Sequence, residues 1–176
     1  KNTITNQASP VQIGSLTNWS SVSGGEIHSL AVKTDGTAWA WGRDNKGQLG
    51  HGTTVDKSSP VQIGALTDWS SVSAGNSHSV AVKTDGTAWA WGKNYNGQLG
   101  NNTIANKSSP VQIGALTNWS SVSGGEIHSL AVKTDGTAWA WGRDYKGRLG
   151  HGQTLTKSNR FKSEGGPAWS QIACGQ

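Results

Sequence analysis

The chain has 176 residues, a formal net charge of +5 and an isoelectric point near 9.5, with 25 glycines, 10 tryptophans, one phenylalanine, one cysteine and no methionine. A lone cysteine rules out an internal disulfide framework, no apolar run is long enough for a membrane-spanning helix, and the start lacks the apolar core of a signal peptide. No two lysines or arginines are adjacent, so the positive charge is not gathered as in nucleic-acid-binding proteins, and a nucleic acid partner is not expected.

Residues 1–18 match 51–68 in phase, so the chain opens in the second half of a repeat. Pro10, Pro60 and Pro110 each lead into Val-Gln-Ile, which reads as a short edge strand, because proline is tolerated at the first position or on an edge. Trp19 to Ser23 reads as a second short strand, ended by Gly24 and Gly25. The segment HSLAVKTDGTAWAWG at 28–42 returns at 78–92, where Leu30 becomes Val80, and unchanged at 128–142. Two alternating runs flank Asp35-Gly36, a strong signal for a two-residue hairpin turn. A tight turn there predicts that Val32 faces Trp39 and Leu30 faces Trp41. One face would then carry Leu30, Val32, Trp39 and Trp41, and the other Ser29, Ala31, Ala38 and Ala40. Stacking of successive repeats, indole face on alanine face, would bury a shared core.

Each 50-residue period thus holds four short strands, near 19–23, 28–34, 37–42 and 60–63, with no helical periodicity. Four strands per period is the pattern of a β-propeller blade. The expected fold is therefore all-β, with about 3.5 repeats in one array over 1–176: a partial repeat at 1–18, repeats at 19–68, 69–118 and 119–168, and a partial repeat at 169–176. A propeller closes with at least four blades. This shortfall, the phase at which the chain stops and the absent methionine lead to the expectation of an arc that is part of a longer polypeptide or is completed by other chains.

The loop after the hairpin contains Gly47-Gln48-Leu49-Gly50, in which Leu49, like Leu99 and Leu149, is expected to anchor the loop to its blade. Comparison of the repeats shows nearly fixed strands and variation at 26–27, at 51–56 and at 43–46 and its equivalents. Loops on rigid scaffolds carry function. The candidate binding residues are therefore Arg43, Asp44, Asn45 and Lys46, then Lys93, Asn94, Tyr95 and Asn96, then Arg143, Asp144, Tyr145 and Lys146. Their mix of tyrosine, amide and cation suits protein surfaces or surface glycans. It would also suit phosphate were Asp44 and Asp144 not interleaved. The last repeat departs from the pattern, with Arg160 in place of proline and Phe161-Lys162-Ser163 in place of Val-Gln-Ile, as terminal repeats often do.

No constellation for catalysis stands out. His28, His78 and His128 recur 50 residues apart at the start of one strand, and read as structural histidines bonded to neighbouring backbone rather than metal ligands. His51 and His151 lie in variable loops. Asp35, Asp85 and Asp135 are turn residues, and Glu26, Glu126 and Glu164 have no unique companion. Near-identical repeats argue against an enzyme, since an active site is singular, and no cofactor or metal is expected. The recurring Lys33, Lys83, Lys133 and Lys57, Lys107, Lys157 read as solvated loop lysines, and Cys174 as incidental.

The ordered set of paired small residues, His-Ser, Asp-Gly turn, Trp-Gly and Gly-Gln-Leu-Gly, seen as GGEIHSLAVKTDGTAWAWGRDNKGQLG, resembles the RCC1 family of seven-bladed propellers over essentially the whole chain. A kelch propeller, also of about 50-residue period, fits less well, because its glycine pair is replaced by Ala74-Gly75 and Gly-Gln-Leu-Gly suits RCC1. The connection SSPVQIGALTNW is similar to RCC1-like arrays of bacterial surface and bacteriophage virion proteins. This resemblance implies a non-enzymatic structural or recognition module of a virion appendage or bacterial surface protein, contacting host glycan or protein outside the cell. The alternative it implies is an intracellular RCC1-type regulator, exchanging guanine nucleotide on a small GTPase and binding chromatin.

Overall fold

The computed structural model describes residues 6–150, 157–162 and 169–174. Among these residues the regular structure is twelve strands and no helix. The first blade comprises β1 (Trp19–Gly24), β2 (His28–Lys33), β3 (Ala38–Gly42) and β4 (Lys57–Gln62). The second comprises β5 (Trp69–Ala74), β6 (His78–Lys83), β7 (Ala88–Gly92) and β8 (Lys107–Gln112), and the third β9 (Trp119–Gly124), β10 (His128–Lys133), β11 (Ala138–Gly142) and β12 (Lys157–Lys162). Each sheet is antiparallel in sequence order, so β4, β8 and β12 are edge strands, while β1, β5 and β9 meet across neighbouring blades.

The hairpin register differs by one residue from the sequence expectation. Ala31 pairs with Trp39, Leu30 with Ala40, Val32 with Ala38 and Ser29 with Trp41. The turn has three residues rather than two: Gly36 N–H donates to Lys33 O at 2.9 Å and Lys33 N–H to Thr37 O at 2.9 Å, with Gly36 at φ +76°. This is the loop that ends in a left-handed glycine and a bulge. Asp35 fixes it by accepting from Thr37 N–H at 3.0 Å and Thr37 Oγ1 at 2.6 Å, and Thr37 Oγ1 in turn accepts from the Trp39 indole at 2.8 Å. A Cβ on Gly36 would also lie 2.1 Å from Thr67 O, so glycine is required twice over.

The one-residue change exchanges the faces. Leu30, Val32, Ala38 and Ala40 share one side, and Trp39 and Trp41 share the other with Ala31. The nesting of blades therefore sets indoles against a mixed aliphatic face rather than a purely alanine one. Leu30, Val32, Ala38, Ala40, Leu49 and Ile63 of the first blade pack on Trp69, Ala81, Trp89 and Trp91 of the second. The second and third blades repeat the arrangement through Val80, Val82, Leu99 and Ile113 against Trp119, Trp139 and Trp141. Leu49 and Leu99 are fully buried, the anchors expected of them.

The fourth strand starts three residues before its proline. Pro60 falls where the β3–β4 ladder is irregular, between the Ala40–Val61 and Gly42–Lys57 pairs, on an edge where a missing N–H costs no ladder bond. In the third blade Ala140 pairs with Phe161 and Trp139 with Lys162, so the strand persists despite the altered sequence. His151, Ser163 and Glu164 lie outside the described residues. Residues 169–174 continue the pattern: Trp169 N–H donates to Gly136 O at 2.9 Å and Cys174 N–H to Ser123 Oγ at 2.8 Å, as Trp69 does to Gly36 O and Ala74 to Ser23 Oγ. Cys174 is thus part of a blade junction rather than incidental. Burial pushes its thiol up to about 11, which leaves it unreactive.

Candidate functional site

All twelve candidate residues lie at one end of the blades. The turn at 25–27 and the loop at 43–56 are tied there by Arg43 N–H to Ile27 O at 2.9 Å, and the other blades repeat the tie through Lys93 to Ser77 O and Arg143 to Ile127 O. The Asp-Gly turns and the blade-to-blade links occupy the opposite end, where Thr34 N–H donates to Asn18 O and Trp69 N–H to Gly36 O.

The structure divides the candidates. Arg43, Asn45, Tyr95, Arg143, Tyr145 and Lys146 are exposed, and Lys46, Lys93 and Asn96 are half-buried. Asp44, Asn94 and Asp144 are buried and hold their own loops, so they are not contact residues. Each accepts from the N–H of the leucine five residues on, at 2.8, 2.9 and 3.2 Å. In the first two loops the second side-chain atom is matched to the residue seven positions along. Asn94 Nδ2 donates to Asn101 Oδ1 at 3.1 Å and Thr103 O at 2.9 Å, whereas Asp44 Oδ2 faces His51 Nδ1 at 3.2 Å. Variation at 43–56 is therefore partly an exchange of one internal pair for another. Burial pushes the Asp44 carboxyl up to about 6, and burial with nearby Lys57 lowers His51.

The recurrent histidines join blades. His28 Nε2 lies 2.8 Å from Ser79 Oγ, and Ser79 Oγ donates to Gln48 O at 2.8 Å. A carbonyl only accepts, so the serine proton points to Gln48 and His28 Nε2–H must donate to the serine. The Trp91 indole donates to the same carbonyl at 2.9 Å. His78, Ser129, Gln98 and Trp141 repeat this set at 2.9, 2.8 and 2.8 Å. His28 and His78 are thus bonded to a serine of the next blade, a partner beyond the neighbouring backbone expected from sequence, and the His128 backbone also bonds His78. Burial lowers His28 to about 4 and His78 to about 3, and lowers His128 as well, so the rings are neutral. The second residue of each small pair is glycine because the ring lies against it: a Cβ on Gly75 would sit 2.5 Å from His78 Cε1 and 2.5 Å from Gly125 O.

The strand lysines are also not solvated as expected. Lys33, Lys83 and Lys133 are 8, 6 and 8% exposed, with their ammonium groups 3.9, 4.4 and 4.1 Å from the ring centres of Trp39, Trp89 and Trp139. They stabilise the indole face by cation–π contact. Among the described residues no three His, Cys, Asp or Glu side chains converge on a point that could hold a metal.

Around the two exposed tyrosines the neighbouring side chains are cationic. Tyr95 and Tyr145 are 57 and 50% exposed. Lys46 from the first blade places Nζ 5.6 Å from the Tyr95 ring centre, and Arg143, Lys146 and Arg148 surround Tyr145 at 5.8, 5.3 and 5.6 Å. Arg148 was not among the sequence candidates, although Gly-Arg-Leu-Gly in place of Gly-Gln-Leu-Gly marks it. In the first two blades buried Gln48 and Gln98 accept from Lys46 N–H and Asn96 N–H through Oε1, each at 2.9 Å. Arginine has no acceptor. In the third loop Arg148 Nε instead donates to Tyr145 O at 3.1 Å, and Lys146 adopts φ +59°.

Comparison with known proteins gives the arrangement its family. A model described as the regulator of chromosome condensation (RCC1) repeat matches residues 35–82, 85–132 and 135–176, and a second model of that repeat matches 19–48, 69–98 and 119–148. Protein RCC2 of Homo sapiens is 63% identical over 27 residues, covering 15% of this chain and 5% of RCC2, and the RCC2 homolog of Danio rerio has the same identity over 6% of its length. Human WBSCR16 superposes with a TM-score of 0.78 at 21% identity, covering 89% of this chain and 42% of that one. Prp20p of Saccharomyces cerevisiae gives 0.77 at 22%, covering 92% and 42%. The chain thus spans less than half the length of these two structures and a small part of RCC2. With three copies of the repeat falling in phase on three four-stranded blades that interlock through the same histidine, serine and glutamine positions, the chain belongs to the RCC1 repeat family.

Proposed function

We propose that the chain is a non-enzymatic, protein-binding section of an RCC1-type propeller, of the regulator kind. The observation that carries this reading is the contrast between the two blade ends. The strands, turns and junctions are nearly invariant and internally bonded, while the exposed tyrosines and basic side chains collect at the loop end. Interfaces are enriched in tyrosine and arginine. The relatives support the same direction: the structure of Prp20p was described together with its binding to Gsp1p and histones, and yeast RCC1 was solved bound to Kap60. A virion appendage or surface adhesin that takes host glycan draws no comparable support from these relatives.

The test is calorimetric titration of the chain with Gsp1p and with core histones, alongside nucleotide release from a small GTPase. Saturable binding to at least one partner is expected, and it should weaken when Tyr95 and Tyr145 are both replaced by alanine. No heat of binding with either partner and no stimulated release would overturn the regulator reading.

A further inference from the structure

The third loop differs from the other two in a way that the proposed protein-binding role does not require. Loss of the glutamine acceptor at 148 leaves Lys146 in the left-handed region and turns Arg148 onto Tyr145 O. Three cationic groups then stand within 6 Å of one exposed ring. Arg143 and Lys146 are exposed and pair with no carboxylate among the described residues, and the one ion pair of Arg148 is a loose 3.8 Å contact with Glu126. Asp144 of this loop is buried, as is Asp44 of the first, so neither offsets the charge around Tyr145, and exposed Asp56 belongs to the first loop, where it accepts from Asp44 N–H at 2.7 Å. Lys46 on Tyr95 extends the same combination to the second blade.

We infer that this face docks an acidic polypeptide segment, with its carboxylates on Arg143, Lys146 and Arg148 and an apolar group on the Tyr145 ring. The proposal rests on the protein-binding reading and narrows it to one class of partner. Guanidinium groups in this setting match carboxylates in paired hydrogen bonds. A polynucleotide is the less suitable occupant, because the three cations gather about one ring in the third loop, which suits a few carboxylates, whereas a nucleic acid backbone is followed by a cationic groove lined with successive stacking rings.

The test uses fluorescence anisotropy of a labelled poly-glutamate peptide carrying one tyrosine, with labelled oligo-dT and poly-lysine as comparison probes. The parent chain should bind poly-glutamate with a dissociation constant that rises with salt. A triple charge reversal, R143E with K146E and R148E, should weaken it by about tenfold or more. Y145A should weaken it and Y145F should not, since the ring rather than the hydroxyl is used. L66E with L116E adds negative charge at the opposite end, where both leucines are exposed, and should leave affinity unchanged. Thermal melts confirm that each variant is folded. No binding of poly-glutamate, equal weakening by the rim and opposite-end variants, or tighter binding of oligo-dT would each overturn the inference. If poly-glutamate fails while Gsp1p or histones still bind, the acidic-segment inference falls and the protein-binding role stands.

Discussion

Acidification should separate the blades well before the turn carboxylates titrate. His28 and His78 have an ordinary value of 6.5 and are lowered by burial to about 4 and about 3. In the pH range between, the unfolded chain binds protons that the folded chain refuses, so stability is fully present above pH 6.5 and is lost as pH falls toward 4. At pH 5 each ring costs about 2 kcal/mol relative to neutral pH, or about 4 together. Asp44 works in the opposite sense. Its carboxyl is raised to about 6, so the fold takes up a proton before the unfolded chain does, returning about 1 kcal/mol at pH 5. The net loss is about 3 kcal/mol, a large share of a typical folding free energy. Asp35 and Asp85 are held below 3.8 by Thr37 and Thr87, so their contribution fails only below pH 4, outside this window. The assay is urea unfolding followed by tryptophan fluorescence between pH 7.5 and 4.5. The midpoint should fall steadily below pH 6.5, and H28Q with H78Q, which keep a donor toward the serines, should flatten most of that fall. An unchanged midpoint from pH 7.5 to 5, or an equal fall in the double variant, would refute the junction argument.

Further outcomes follow from the same contacts. Ser79→Ala strands the His28 N–H while leaving Trp91 on the Gln48 carbonyl, and should cost about 1–3 kcal/mol in urea unfolding. Gly25→Ala forces a Cβ to within 2.4 Å of Gly75 O, whereas a Cβ on Gly24 meets nothing within 4 Å. The first should therefore lose roughly 2 kcal/mol or more, and the second should stay within about 0.5 kcal/mol of the parent. Leu99→Ala empties a fully buried site between the second and third blades and should cost about 2–5 kcal/mol. Arg148→Gln restores the acceptor present in the first two loops and should slow amide exchange at Lys146 while weakening poly-glutamate binding.

Periodicity and turn chemistry made the architecture legible: the 50-residue repeat, the four strands and the position of the Asp-Gly turn can all be read from residues 28–42 and their copies. The register could not, because Asp-Gly serves both a two-residue turn and the end of a three-residue turn. The choice is made by Thr37 bonding back to Asp35. That single residue decides which face carries the indoles. At the candidate site, variability correctly marked the loop end, but it merged two causes. Tyr95 and Tyr145 vary on the surface, whereas Asp44 and Asn94 vary together with His51 and Asn101 to keep buried partners. A seven-residue separation across an irregular loop carries no periodic signal, so only coordinates distinguish the two. Arg148 was visible as a departure from Gly-Gln-Leu-Gly, but its meaning depended on knowing that the glutamine side chain holds the turn.

The Gln48 carbonyl belongs to one blade yet serves the tryptophan and serine of the next. This gives the array a polarity that its repeating sequence conceals. A distortion of the loop at Gln48 would reach Ser79 and Trp91, 31 and 43 positions further along the chain and in the next blade. Two blades exchanged in order would keep their own strands intact but would have to satisfy a different neighbour. Near-identity of successive copies is the condition that makes every such handover work, which offers a physical reason for repeats this uniform.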